Sequence, residues 1–534
     1  MQIRPIIGME IHVQLATRTK LFCACPLEFA AEPNSRVCPV CLGLPGSLPV
    51  MNRRAYELAV RAALALGCKI APFTKWDRKS YFYPDLPKNY QISQYDLPLS
   101  FNGVFEVPTP ADGLDGGGKA PMRRIGIIRA HLEEDAGKNL HEGVDHSRVD
   151  LNRAGTPLLE IVTQPDLASA DECYAFAVEL QRLVKFLGVS EANMQKGQMR
   201  FEPNVNLAIT HDGREYRTPI SEIKNLNSFR SVRLAVEYEI KRQTAAWEAD
   251  HDYTLDKLGK MNFGWDDERE VTEFQRGKEE SHDYRYFPDP DLVPVTPDAA
   301  WVEQVRGEIG ELPLARQARL IRDLGVTEKD CEVLLADRKT AELFDNVVTA
   351  GVDARTVIKQ FVGIWNNLAS AAGCTIADLG VPPKHVADLA RAVQEGAISA
   401  SAAANIAEKL AAHPRRAVDP SRDREGASST PSPSKGEGRG EGQILDTGSS
   451  VLDLARDLGL LQVRDESATQ AWVDEAFAKN PQAVADALGD NERKAKAAPG
   501  FLRGQVMKLS GGKADPKLTG DLIERKIKGL KNND

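Results

Sequence analysis

The sequence predicts an α+β chain, with an N-terminal domain on a mixed or antiparallel sheet followed by all-α helical and tail domains. Three observations carry this. Residues 1–294 hold short segments that alternate apolar and polar side chains, divided by aromatic-Pro-Asp turns and a few helical stretches. Across 295–412, alanine, leucine and charged residues dominate, as in ELPLARQARLIRDLG and HVADLARAVQEG, a helical composition. After a 413–446 stretch with almost no large apolar residue, helical patterns resume in 447–534 with VLDLARDLGLL and DLIERKIKGLK. The 413–446 stretch cannot bury enough surface to offset its ordering entropy and is expected to be a disordered linker.

The 534 residues are too many for one core, and two to four domains are expected. No run of about 18 apolar residues occurs, and the start MQIRPIIGMEIHVQL lacks the pattern of a signal peptide. A soluble, cytoplasmic chain with no membrane partner is expected. The formal charge of -9 argues against a protein whose whole surface coats nucleic acid. RNA contact has to be local or shared with a partner. Arg493 to Lys531 is the local exception, with eleven Lys or Arg against Asp515, Asp521 and Glu524. It reads either as a phosphate-backbone contact or as a solvated lysine-rich face.

Near the N-terminus, IGMEIHVQL alternates strictly. Ile7, Met9, Ile11, Val13 and Leu15 face one way, and Glu10 and His12 the other, about 7 Å apart. Taken alone this is an ordinary half-solvated strand. The Cys23-x-Cys25 and Cys38-x-x-Cys41 pairs come next. Two close pairs across a short loop suit a closed, structural tetrahedral Zn²⁺ site. Two reduced pairs without metal are the alternative, and no strand-CxxC-helix pattern supports a redox motif. Cys68, Cys173, Cys331 and Cys374 are scattered and expected to be small buried hydrophobes.

The polar face then recurs. In RIGIIRAHLEEDAGK, strand phase puts Arg129, His131 and Glu133 together, with Glu134 and Asp135 following. Consecutive carboxylates repel one another and favour a compensating cation. Glu160 stands inside the apolar run LLEIV, where a carboxylate needs a metal, an Arg or a strong donor. In QMRFEPNVNLAI, Arg200, Glu202, Asn204 and Asn206 alternate with apolar residues, and in PISEIKNLNSFR, Glu222 shares a face with Lys224. Asn227 or Ser228 can then cap a helix carrying Phe229, Val232, Val236 and Ile240. Several such strands together suggest one sheet with an acidic floor, suited to Mg²⁺ and the phosphates of ATP. No Walker A or kinase glycine loop is present. GLDGGGKAP at 113–121 reads as a loop tip. The aromatic turns at 81–96 and 283–292 read either as rigid packed turns or as surfaces that stack on a base.

These stretches, in this order, resemble the GatB family of aspartyl/glutamyl-tRNA amidotransferase subunits. The likeness is carried by IGMEIHVQL, the CxC/CPVCLGLPGSLPVMN block, YFYPDLPKNYQISQ, HLEEDAGK, VDLNRAGTPLLEIVTQPD, EIKNLNSFR, DYRYFPDPDL and GFLRGQVMKLSGGKADPKL. The resemblance implies a heterotrimer in which an amidase (glutaminase) subunit supplies ammonia and a small third subunit braces the pair. The GatB-like chain would bind misacylated Glu-tRNA(Gln) or Asp-tRNA(Asn) and activate the side-chain carboxylate with ATP and Mg²⁺. The resemblance also implies that residues 1–294 form the catalytic cradle and that the helical and tail domains grip tRNA. Glu10, His12, Glu133 and Glu160 match its magnesium and catalytic motifs, and Cys23, Cys25, Cys38 and Cys41 its zinc motif. Arg129, Glu134, Arg200, Glu202 and Lys224 are the candidates for holding ATP. Phe201 and Pro203 depart from the family pattern, as does the 413–446 insert, and a distorted strand is expected at Pro203. A zinc-stapled adaptor that binds tRNA without chemistry of its own is the second reading.

Overall fold

A computed structural model describes residues 1–109, 121–140, 146–277, 284–411, 450–462, 465–489 and 491–531. The expected linker at 413–446 and the glycine-rich residues 113–120 lie outside the described residues. The chain divides into two compact units, Met1–Arg316 and Gln317–Asp534. The architecture is α+β, with a mixed sheet in the first unit and helices in the second.

In chain order the first unit opens with β1 (Gln2–Gln14), α1 (Pro39–Leu42) and α2 (Arg53–Ala65). β2 (Lys69–Ile70), β3 (Asp77–Ser80), β4 (Tyr90–Ser93), β5 (Ser100–Pro108) and β6 (Met122–Glu134) follow. Next come β7 (Lys138–Leu140), β8 (Arg148–Asp150), β9 (Pro157–Thr163), α3 (Ala170–Phe186) and β10 (Met199–His211). The remainder is β11 (Arg214–Arg217), β12 (Ile220–Lys224), α4 (Phe229–Ala249), α5 (Leu255–Leu258), β13 (Lys260–Asp266), β14 (Val271–Arg276), β15 (Phe287–Pro288) and α6 (Ala299–Ile309).

Ten strands form one sheet in the order β14-β13-β12-β10-β1-β9-β6-β5-β2, with β11 on β10. Its pairs are antiparallel except β12 with β13. Strand alternation divides β1 as its pattern predicts. Ile7, Met9, Ile11, Val13 and Leu15 are buried in the core beneath α2, α3 and α4. The opposite face of the central strands carries the polar residues. A small sheet, β15-β3-β4, brings Ser93 against the β6 end of that face. β10 is continuous through Pro203, which sits opposite Met9. β12 registers against β10 only at Asn204 and Val205, so Pro203 lies beyond that pairing and its missing N–H costs little. Phe201 is buried and meets Phe229 edge-on. The residue that caps α4 is Ser228, whose hydroxyl accepts from the Ser231 N–H.

A buried polar network fixes α4 to the sheet. Glu239, fully buried, accepts from Arg242, Gln243 and the Thr272 hydroxyl, and Gln243 donates to Val205 O and Ser221 Oγ. Burial pushes the Glu239 carboxyl up, but its bonds with Arg242 outweigh this and hold it below the usual range. Removing one partner of such a pair strands the other charge. Glu239→Ala is expected to destabilise the first unit by about 3 kcal/mol, read by thermal or urea unfolding. An unchanged midpoint would count against the network.

α6 follows residue 294 yet packs on α2, where Trp301 stacks on Tyr56 at 6.1 Å. The first unit therefore runs on to Arg316. In the second unit the helix Val451–Asp457 packs against Pro383–Gln394 and Ala400–Ala411. A separate cluster of Val473, Phe477, Leu502, Val506, Leu522 and Ile523 gathers the helices beyond it. Among the described residues no helix is long and apolar enough to cross a membrane. Cys68, Cys173 and Cys331 are buried, but Cys374 is only half-buried, contrary to expectation.

Candidate functional site

Sheet register places the polar residues in rows. His131 on β6 lies opposite Glu160 on β9, Glu160 opposite His12 on β1, and His12 opposite Arg200 on β10. One step along, Glu10 lies opposite Glu202. Because directly paired residues share a face, four strands deliver their side chains to one floor. His12 Nε2 is 3.5 Å from Glu133, 3.7 Å from Glu160 and 3.9 Å from Glu10. His131 Nε2 is 3.5 Å from Glu160. Two overlapping groups, Glu10–His12–Glu160 and His131–Glu133–Glu160, each offer ligand atoms within 4.8 Å of one another.

The carboxylates and imidazoles of the floor perturb one another strongly. Burial pushes the Glu160 carboxyl up and Glu133 adds to it; burial likewise raises Glu10, with Glu160 adding. Burial also acts to raise Glu133, but Lys79 and His12 outweigh it and hold that carboxyl low. Burial pulls His12 down, yet its hydrogen bond with Glu133 and the charges of Glu133 and Glu160 push it up to about 9. A protonated imidazole among three carboxylates offsets part of their charge, and a bound cation would displace that proton and leave neutral His12 free to ligate. Burial pushes His131 down to about 3, which keeps that ring neutral. Among the described residues, four buried polar atoms on this face have no hydrogen-bond partner: His12 Nδ1, His131 Nδ1, Arg129 Nε and Asn204 Oδ1. Buried polar atoms are rarely left unsatisfied without a functional reason. The donor set fits a divalent cation with an anionic ligand beside it.

Of the residues singled out from sequence, the structure brings Glu10, His12, Glu133 and Glu160 together, with Arg129 and Arg200 on the same face. Arg200 reaches Asp135 at 3.3 Å, and Arg153 approaches the same carboxylate at 3.5 Å. Glu202 and Lys224 are paired at 2.5 Å, and Lys224 also meets Glu222 at 2.8 Å, extending the floor toward β12. Glu134 does not join the group. Neighbouring strand residues face opposite ways, and its carboxylate accepts from Lys88 and from the Ile92 N–H at 2.9 Å. One contributor, His131, was placed on this face by the sequence but given no role there, and another, Lys79, escaped the sequence reading. His131 shares the phase of Glu133 and was legible on that ground. Lys79, on the four-residue β3, carried no periodic signal; its charge acts on Glu133 and Glu160. The aromatic turns are both packed and exposed. Tyr95 stacks on Tyr286 at 4.1 Å, while Phe82 stays 77% exposed.

The four cysteine sulfurs Cys23, Cys25, Cys38 and Cys41 lie within 4.8 Å of one another. Cys38 precedes α1, and its N–H donates to Cys41 Sγ at 3.1 Å. Gly43 closes α1 with φ +68°, a left-handed conformation that suits glycine. A hydrogen bond from Cys23, with Lys20 adding, holds the Cys41 thiol below the usual range despite burial. Four converging thiols of this kind are the donor set of a structural zinc site.

The floor and the four-cysteine knuckle both lie within the part of the chain that matches a known class of catalytic domain. Residues 5–303 match the GatB/GatE catalytic domain, and residues 342–426 and 442–527 match the GatB domain. The chain belongs to the GatB family, and so is a subunit of a tRNA-dependent amidotransferase, a carbon–nitrogen ligase. It is 41% identical to the B subunit of the aspartyl/glutamyl-tRNA(Asn/Gln) amidotransferase of Moorella thermoacetica, over 99% of this chain and 100% of the relative. It is 42% identical to the protein of the same name from Rhodopirellula baltica, over 97% of this chain and 95% of the relative.

Proposed function

We propose that this chain phosphorylates the side-chain carboxylate of Glu or Asp carried on a misacylated tRNA and passes the activated acyl group to ammonia. The carboxylate oxygen attacks the γ-phosphorus of ATP, ADP leaves, ammonia adds at the acyl carbon, and phosphate departs to give the amide. A carboxylate is a poor acyl donor, and the acyl phosphate supplies the leaving group. Glu10, His12, Glu133 and Glu160 would hold Mg²⁺, with neutral His131 adjoining. Mg²⁺ bound there would offset charge on the transferring phosphoryl group. Arg129 and Arg200 would meet phosphate oxygens, since a guanidinium recognises them in a forked geometry. Glu202 and Lys224 would border the nucleotide. Ammonia would come from a glutaminase partner, with a small third subunit bracing the complex in the cytoplasm. The cationic run from Arg493 to Lys531 would grip the tRNA backbone. Cys23, Cys25, Cys38 and Cys41 would bind Zn²⁺ as a staple, since four thiolates leave no open position for chemistry.

The observation that carries this reading is the set of four orphaned polar atoms on the face that also gathers three carboxylates. An adaptor that only docked tRNA would gain nothing from such a floor, because carboxylates repel phosphate unless a cation intervenes. The test is amide formation by the reconstituted complex given misacylated tRNA, ATP, Mg²⁺ and free ammonium. Glu10→Ala is expected to lower it about 100-fold or more while tRNA binding is retained. Undiminished amide formation would replace this reading with the adaptor.

A further inference from the structure

The second buried feature of the first unit lies beside the cysteine knuckle. Lys20 is 0% exposed, and its Nζ meets two groups: Cys41 Sγ at 3.6 Å and the Leu151 carbonyl at 3.3 Å. Among the described residues no carboxylate pairs with it. A lysine withdrawn wholly from water needs an anion, and the group offered here is a cysteine sulfur. Four thiolates outweigh the charge of one divalent cation, so a metal-loaded cluster stays anionic. Buried beside it, a cation and a hydrogen-bond donor to sulfur do what neighbouring donors and carboxylates do around other metal sites.

Lys20 also reaches beyond the knuckle. Leu151 begins the turn that carries Arg153 and Gly155, and Arg153 donates to the Ala136 and Gly137 carbonyls. Gly155 has φ +85°, and a Cβ there would stand 3.5 Å from Lys20 Cδ, 3.7 Å from Cys41 Cβ and 3.7 Å from Glu134 Oε2. The Leu21 N–H donates to the Gly155 carbonyl at 2.8 Å, and the Asp135 N–H to the Thr156 carbonyl at 2.8 Å. The knuckle, the 151–155 turn and the end of β6 thus meet around one lysine stem.

We propose that Lys20 is a positioning residue of the four-cysteine metal site: its buried ammonium donates to the Cys41 thiolate and, through Leu151, ties the loaded knuckle to the turn beside the Glu134–Asp135 end of β6. This rests on the reading that the cluster binds a divalent metal. Lys20→Met keeps the stem and removes the charge. In the full-length chain, zinc release to an excess of chromogenic chelator is expected to be roughly 10–100-fold faster in Lys20→Met than in the wild type. The thiolate-to-metal charge-transfer band of the Co²⁺-loaded variant is expected to shift, which a packing role alone would not produce. Wild-type zinc with equal release rates and an unmoved band overturns the role of Lys20 and leaves the metal reading standing. A wild-type chain that takes up neither zinc nor cobalt sinks both. Should Lys20→Met fail to fold, the wild type alone decides, by hydrogen exchange at the Leu21 and Asp135 amides with and without metal. Faster exchange on stripping supports the tie, and unchanged exchange overturns it.

Discussion

Glu160→Gln is expected to lower amide formation roughly 10²- to 10³-fold without loosening the fold. The residue stands opposite both His131 and His12 in the register, and its carboxylate belongs to both groups of candidate ligands. Glutamine keeps the shape and removes one negative charge. In the protein without metal, that charge opposes Glu133 across a buried gap, which is one reason the Glu160 carboxyl is raised. Neutralising it relieves the repulsion, so the thermal midpoint is expected to hold or rise. With substrate the balance reverses. An amide oxygen is a weaker ligand for a hard cation, and the Mg²⁺ dependence is expected to move to higher concentration. Affinity for tRNA, measured by filter binding, should stay near that of the wild type, because the cationic run proposed to grip tRNA lies in the second unit. Glu160→Asp should fall between the two. Wild-type turnover by Glu160→Gln at low Mg²⁺ would remove this carboxylate from the mechanism.

Much of this floor was legible because strands have a period of two. Once Ile7, Met9, Ile11, Val13 and Leu15 define an inward face, Glu10 and His12 must face away, and the same logic phases Arg129, His131 and Glu133. Glu160 announced itself as a carboxylate in an apolar strand. What the pattern could not carry was register between distant strands. Nothing local says that His12 sits opposite Glu160 rather than two residues along, or that β3 approaches with Lys79. Glu134 was read into the site because a run of acids looks alike on either face, whereas the pleat sends it to Lys88. The fate of α6 was hidden for another reason. Composition says a segment is helical but not which core it joins, and the Trp301–Tyr56 stack draws this one onto the first unit. Lys20 gave no signal at all, since a lysine in a loop is ordinarily solvated.

Cys41→Ser is expected to release the metal and unravel the knuckle while the main sheet stays folded. α1 spans only four residues, far too short to persist alone. Leu44, Leu48 and Val50 beyond it are exposed, so little apolar burial holds the loop. Residues 32–36 are tied to 149–152 by hydrogen bonds of 2.7–3.0 Å through Asn34, Arg36 and Asn152, whereas the stretch after α1 is anchored beyond itself chiefly by Val50 N–H to Phe22 O at 3.0 Å. A structural zinc site contributes on the order of 10 kcal/mol, enough to dominate the stretch around α1. Loss of the knuckle should also reach the floor. Gly43 lies so close to Lys88 that a Cβ would stand 2.5 Å from its Cγ, and Lys88 pairs with Glu134 beside Glu133. Metal content by elemental analysis should fall to background, limited proteolysis should cut between Leu42 and Val50, and amide formation should drop as well. Cys374→Ser, at a half-buried cysteine outside the cluster, should leave all three readings unchanged. A Cys41→Ser chain that kept its metal and resisted the protease would mean that packing, not the thiolates, holds the loop.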